Sequence, residues 1–559
     1  MTRFTPDIFD VIRLNKHDTS RREFLKMLAL AGGIFVAPGI LGVACSTGAQ
    51  QSSAVGNGAP VKGGTLIYGA EADINPLYSD FGGTWSNGRV TRHIFEPLME
   101  SDILSSADVS PLVSILAEKW VETADAKVST FQLRKGVKFQ DGTPFNAEAL
   151  KFNIERDYDP KHPFYHEKAW GGQRQRFRYI DKVEVIDENT VRISQKQSYV
   201  NFLLLMRGYS VTSPDAIKKY GNAEIHNHPV GTGPFKLEEF KAGERVVLVR
   251  NENYWGKEPW LDKIIFRPIP EDAVRVAALK SGDVDFSLNL PPDSYAEFEK
   301  DPRFQIVQKA YGHIWFIRFN SKDPPFNDKR VRIAATMAVN KDALIKDILK
   351  GTGVKAIAPF GPGTDAYDPE LKEIYPYNPA KAKELLKEAG YANGFDTTIY
   401  FPPSGSGMMV GQPMVQYIQQ NLAEVGIRIR LVPQEWNTYV KGDYDGLKPD
   451  VGLTNMSHGT DSGTNVARLY SASQHPPNGP NPGWYSNPEV DKILDQADVE
   501  PDLEKRKNLW RKANRMIAED AADIYVAHDT LPRVFTKKIH DYVAPAQGSF
   551  VFTPAWITQ

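Results

Sequence analysis

Cysteine occurs once in 559 residues, as Cys45, so the chain carries no cysteine pair for a disulfide framework or a thiol redox motif. Neither sign of charge is in surplus: the net charge is −2, and no polybasic stripe is present, which argues against a nucleic-acid partner. The patterns G-x-S-x-G and G-x-G-x-x-G are missing. "GTGPF" (231–235) lacks the Lys-Ser/Thr of a phosphate loop and runs into a strand pattern, so it reads as a turn. "YHEKAW" (165–170) has no second histidine four places after His166, which excludes a zinc-protease helix. No fixed-period repeat is found. Nothing catalytic survives, and neither a cofactor nor a metal is called for.

What is present begins with one apolar run. Met27–Ala44 is apolar or small throughout and follows Arg21, Arg22 and Lys26. Its glycines and Pro38 suit a segment that is inserted and cut better than a rigid span. Ser20–Lys26 (SRREFLK) resembles the twin-arginine export signal position by position. Gly42-Val43-Ala44 puts small residues before Cys45 as a lipoprotein peptidase requires, although Leu41 lies four places upstream where three is usual. Cys45 is therefore expected to carry a lipid. The Ser-, Gly-, Gln- and Ala-rich stretch after it has tether composition.

At 62.6 kDa the chain is too long for one core, and two or three lobes are expected. Strand and helix patterns mix throughout, which indicates an α/β fold. Thr65–Gly69 reads as a strand, and 130–156 as strand, turn, strand, turn and helix, with Asn146 as N-cap. Lys182–Lys196 reads as a hairpin, and 272–286 holds a helix stopped at Ser281-Gly282. Two helices broken near Asn340 fill 328–351. Further helices are expected over 378–391, 411–425 (followed by a strand), 487–497 and 503–520.

"IFEPLMESD" (94–102), "LAEKW" (116–120), "FQLRKGVKFQDGTPFNAEALKFNIER" (131–156), "PVGTGPFKL" (229–237), "LVRNENYWGKEPWLDKIIFRPIPE" (248–271), "ALKSGDVDF" (278–286), "PPFNDKRVRIAATMAVNKDALI" (324–345), "YNPAKAKELLKEAGY" (377–391) and "YSNPEVDKIL" (485–494) occur in that order. Together they resemble the extracellular solute-binding proteins of family 5, the peptide-, nickel- and sugar-binding components of ABC importers. The resemblance implies a bilobal clamp of the periplasmic-binding-protein type with an extra subdomain in the first lobe. Residues 1–44 would be the twin-arginine lipoprotein signal and 45–62 the tether. Lobe I would comprise 63–105, 229–315 and 523–559, the inserted subdomain 106–228, and lobe II 316–522. Hinge crossings are expected near His313–Phe316 and Asp523–Tyr525.

The same resemblance marks two stretches as cleft-lining. In the loop 81–90, Trp85 would stack on a guest and Asn87 would hydrogen-bond it. In 454–473, matching back from "ARLYS" puts His458 where peptide-binding relatives carry an acid for the peptide ammonium. Asp461 falls at the Asp of their Asp-Pro, and Asn455 at an aromatic. A buried ammonium needs a counter-charge, which His458 does not supply. Either Asp461 takes that role, or His458 favours a carboxylate, a sugar hydroxyl or a metal chelate. His313, Trp315, Trp436 and Arg468 are further cleft candidates.

The expected function is capture of a small extracellular solute, a di- or oligopeptide first, by a monomer anchored through Cys45. It would sit in the periplasm or on the outer face of the cytoplasmic membrane and deliver to a permease and ATPase pair, without catalysis. An oligosaccharide, opine-like conjugate or metal chelate is the alternative cargo. A ligand-sensing adaptor for a chemoreceptor is the alternative of another class.

Overall fold

The computed structural model describes residues 59–74, 77–79, 85–102, 111–166, 176–310, 312–403, 410–460, 462–545 and 550–558; of Trp85, Asn437, Asp443 and Tyr444 only the backbone is described. Arg21, Arg22, Cys45, residues 81–84 of the first cleft loop and Asp461 lie outside the described residues.

Two large sheets organise the chain. The first contains β1 (Thr65–Ala70), β8 (Phe235–Lys241), β9 (Arg245–Arg250), β10 (Lys263–Pro268), β11 (Phe286–Leu288), β12 (Phe304–Val307) and β19 (Arg533–Thr536), in the order β12-β19-β11-β1-β10-β9-β8. The central β1 runs parallel to both β10 and β11. The second contains β13 (His313–Phe319), β14 (Gly353–Lys355), β15 (Phe395–Phe401), β16 (Ile427–Pro433), β17 (Leu453–Gly459) and β18 (Asp523–Asp529), in the order β14-β18-β13-β17-β15-β16. A two-stranded antiparallel ladder joins β2 (Met99–Ser101) to β3 (Leu112–Ser114), and a four-stranded antiparallel sheet of β4 (Ala117–Glu122), β5 (Val128–Leu133), β7 (Thr190–Gln195) and β6 (Ile180–Asp187) forms the inserted subdomain.

Local chemistry sets the element ends. Asn146 accepts from the Ala149 amide at 3.0 Å and starts the helix Ala147–Tyr158. The helix Asp272–Ser281 stops at Gly282, whose φ of 87° few other residues adopt. Asn340 caps the helix Lys341–Asp347 through the Ala343 amide, so the break between two helices falls where the asparagine puts it. The second strand expected within 130–156 is reduced to one bridge, Lys138 with Pro144, because Pro144 has no amide to extend the ladder.

Apolar cores support these layers. Leu66, Phe266 and Phe286 centre the one under the first sheet; Phe131, Leu150 and Ile193 centre that of the subdomain. Lobe II has a core on each sheet face, one around Ile317, Val415 and Leu453 and the other around Phe316, Met456 and Trp510. Strands covered on both faces read as apolar runs rather than alternations. His313–Phe319 is buried at every position.

That run corrects the expected hinge. His313–Phe316 and Asp523–Tyr525 are not connections: β13 and β18 pair antiparallel inside the second sheet, with Ile314 opposite His528 and Arg318 opposite Asp523. The chain passes between the sheets after β12 ends at Val307 and before β13 starts at His313, and again between the end of β18 at Asp529 and the start of β19 at Arg533. The Lys309 amide donates to the Thr530 carbonyl at 3.0 Å, joining the two crossings.

Candidate functional site: the cleft between two strand edges

Parallel strands place their carboxyl ends on one edge of a sheet, and ligands of open α/β folds bind beyond that edge. In the first sheet the edge is formed by the ends of β1, β10 and β11, at Ala70, Pro268 and Leu288. In the second, β15, β16 and β17 are parallel and end at Phe401, Pro433 and Gly459. The antiparallel neighbours start and finish on that same edge, β13 at His313 and β18 at Asp529. Both crossings leave from there, so the two strand edges share a hinge.

On the first edge, Glu71 follows β1 directly and forms an ion pair with Arg89; both side chains are buried. Tyr68 Oη donates to Glu71 Oε2 at 3.0 Å, and Ser86 Oγ and Asn289 Nδ2 each reach Glu71 Oε1 at 3.4 Å. Burial opposes ionisation of Glu71, yet Arg89 and the backbone hold the carboxyl below its usual range. Arg89 and Ser86 come from the helix Trp85–Ile94. Asn87 is fully buried within that helix, and Trp85 is its first residue.

On the second edge, His313 Nε2 lies 2.8 Å from Ser457 Oγ, and its Nδ1 lies 3.5 Å from Asp529 Oδ2. His458 neighbours this group on β17, its ring 6.1 Å from that of Phe316. Burial, then the charges of Arg468, Arg318 and His313, hold His458 well below the usual imidazole pKa, so it is neutral at physiological pH. His528, beside His313 in the sheet, is pushed down to about 4 by burial. Trp436 stacks on Tyr439 with centroids 5.9 Å apart, and the Tyr439 hydroxyl donates to the Asn455 carbonyl. Trp315 is buried in a lobe II core.

The expected residues therefore fall into two sets. His313, His458 and Arg468 converge on one electrostatic cluster, and Trp436 is tied to the same strand through Tyr439. Trp85 and Asn87 lie on the other lobe. Sequence reading overlooked Glu71, Arg89, Ser457 and Asp529. An acid placed directly after an apolar strand, as in "YGAEAD" (68–73), was the available signal for Glu71. Among the described residues no cluster of three His, Cys, Asp or Glu side chains is arranged to hold a metal, and no helix is long and apolar enough to cross a membrane.

Two α/β lobes joined by paired crossings, with their strand edges facing one hinge, define a bilobal binding protein. Residues 111–478 match the model of the bacterial extracellular solute-binding proteins, family 5 (middle region), and the chain belongs to that family. It is 32% identical over 458 residues to the glutathione-binding protein GsiB of Pectobacterium atrosepticum, covering 80% of this chain and 86% of the relative. It is 31% identical over 468 residues to heme-binding protein A of Haemophilus influenzae, covering 80% and 84%. Among solved structures, Helicobacter pylori DppA in complex with the peptide STSA aligns with a TM-score of 0.79 at 27% identity, over 89% of this chain and 99% of that one. The dipeptide-binding protein of Pseudoalteromonas sp. SM9913 in complex with Met-Leu aligns with a TM-score of 0.80 at 25% identity, over 89% and 100%.

Proposed function

We propose that the protein captures a di- or oligopeptide between its lobes and presents it to an ABC permease and its ATPase, with no covalent chemistry. The observation that carries this reading is the pair of strand edges that share one hinge, with Glu71 and Arg89 at the end of one and His313, Ser457 and Asp529 at the end of the other. Support for peptide cargo comes from the relatives, whose names specify glutathione and dipeptides.

Trp85, Asn87, His313, Trp436, His458, Asp461 and Arg468 are the proposed ligand-facing residues. A neutral His458 beside the cationic Arg468 suits a ligand carboxylate, which leaves the ammonium to Asp461. Replacing Asp461 by Ala is expected to weaken binding at least tenfold, about 1.4 kcal/mol, in a calorimetric titration. Export through Arg21-Arg22 and anchoring through a lipid on Cys45 complete the proposal. Cys45→Ala is expected to move the protein from membrane to soluble fractions, and persistent membrane binding would exclude the anchor.

The decisive experiment is native mass spectrometry of the protein purified from its own host. A retained peptide mass supports the assignment. A retained sugar, opine-type or metal-chelate mass replaces the cargo while keeping the clamp.

A further inference from the structure

The two lobes touch at a second place besides the hinge. From the inserted subdomain come Arg178, which precedes β6, and the segment 200–204, which leads into and through the short helix Phe202–Met206. From lobe II come Asp498, the C-cap of the helix Pro488–Ala497, and Arg506 in the first turn of the helix Leu503–Glu519. Asp498 receives Arg178 Nη2 at 3.1 Å on one oxygen and Asn201 Nδ2 at 2.7 Å on the other. Arg506 Nη1 donates to the Val200 carbonyl at 2.7 Å and to Asn201 Oδ1 at 3.1 Å. Asn201 thus bridges the acid and the base.

The surroundings favour these contacts. Leu204 of the subdomain packs against the lobe II core that contains Ile493 and Trp510. Tyr179 and Tyr199 flank the Arg178 guanidinium at 4.4 and 4.9 Å, which fixes its direction. Arg506 is buried and faces the carboxylates of Glu122, Asp365, Glu500 and Asp498. Charge-assisted hydrogen bonds in such a partly dried site are stronger than their exposed counterparts.

We infer that Asp498, Arg506 and their partner Asn201 form an inter-lobe latch that stabilises the closed clamp without touching the solute. The inference rests on the capture reading above. A solute shifts an open–closed equilibrium only through its preference for the closed form. A contact made only on closure adds to that preference whatever the cargo, so these three are positioning residues for capture. None of them needs to recognise ligand chemistry.

The test is small-angle X-ray scattering of the full ligand-free chain, comparing wild type with Asp498→Ala and Arg506→Ala, each first shown to keep wild-type circular dichroism. Both variants are expected to have a larger radius of gyration than wild type, with Asp498→Asn, which keeps the Asn201 contact, lying between. Equal radii for wild type and both alanine variants overturn the latch. Should the alanine variants fail to fold, Arg178→Ala removes one arm of the contact from a half-exposed position, and the same comparison decides. No solute enters this measurement. Failure of the capture reading would appear separately, as the absence of any retained guest in the native mass spectrum.

Discussion

Replacing Glu96 by Ala should cost about 3 kcal/mol of stability although the residue lies in no candidate binding set. Glu96 is buried. Its Oε1 accepts from the Tyr254 hydroxyl at 2.6 Å, and its Oε2 from Thr232 Oγ1 at 2.8 Å and Trp255 Nε1 at 2.7 Å. Truncation removes the shared acceptor and leaves three donors. A buried donor left unmade costs about 1–3 kcal/mol. The two hydroxyls can turn toward other acceptors, while the fixed indole N–H cannot, so the sum falls near the lower end. Glu96→Gln keeps one acceptor oxygen and should lose about half as much. Urea titration followed by tryptophan fluorescence, compared at a common denaturant slope, reads both values. A loss below about 1 kcal/mol for Glu96→Ala would refute the reasoning, since the stranded indole N–H alone costs about 1–3 kcal/mol.

Two other outcomes are expected. Asp523→Ala should destabilise by about 3–5 kcal/mol in the same titration, because it strips the buried Arg318 of a two-point carboxylate. Arg318 Nε and Nη2 each reach one Asp523 oxygen at 3.0 Å, and the Tyr470 hydroxyl reaches the second at 2.7 Å; a loss under 1 kcal/mol would contradict this. Burial raises Glu96 from its usual 4.5 to about 7 against the pull of its three donors, so between those values the folded protein binds more protons than the unfolded chain. The Glu96 share of stability, at most about 3 kcal/mol, is therefore full below about pH 4.5 and is lost as pH rises through about 7. Wild type should lose stability relative to Glu96→Gln across that window, and a constant difference between the two would exclude the shift.

Much of the architecture was legible in the sequence where a local signal suffices. Asn146, Asn340 and Gly282 announce their helix ends by residue type, and the hairpin over 182–196 by alternation. The hinge was not legible. "HIWFIRF" is apolar at five of its seven positions, and nothing in a single strand tells a buried central strand from a link between lobes. Pairing with β17 and β18 decides it, and pairing partners lie more than 130 residues away in the chain.

The family motifs make the same point from the other side. "IFEPL", "FQDGTPF", "GTGPF" and "ENYW" are far apart in sequence, yet they converge on one knot. Thr232, Tyr254 and Trp255 donate to Glu96, while Gln140 Nε2 donates to the carbonyls of Ile94, Gly233 and Phe235 at 3.3, 3.1 and 2.7 Å. Gly231 and Gly233 pack so closely on residues 93–94 that a Cβ would lie 2.1 and 2.6 Å from a carbonyl oxygen. Hence "GTGPF" is a packing device, which its glycine spacing alone did not announce. The site was legible only in part. His458 was marked only through the family resemblance, by matching back from "ARLYS", with His313 and Arg468 as further candidates. The Glu71–Arg89 pair joins residues 18 apart with no spacing rule to reveal it.

The crossings carry a consequence for how the chain assembles. β12 and β19 are hydrogen-bonded neighbours, with Phe304 opposite Thr536 and Val307 opposite Arg533, so all of 308–532 is looped out between two adjacent strands of the first sheet. A loop of that length closes at an entropic cost unless its own structure brings its ends together, and the second sheet does so by pairing β13 with β18. Lobe II thereby acts as a staple, and the pairing of the edge strand β12 with β19 in lobe I draws on the fold of the guest lobe. A lesion in lobe II would then surface as a ragged sheet in its host.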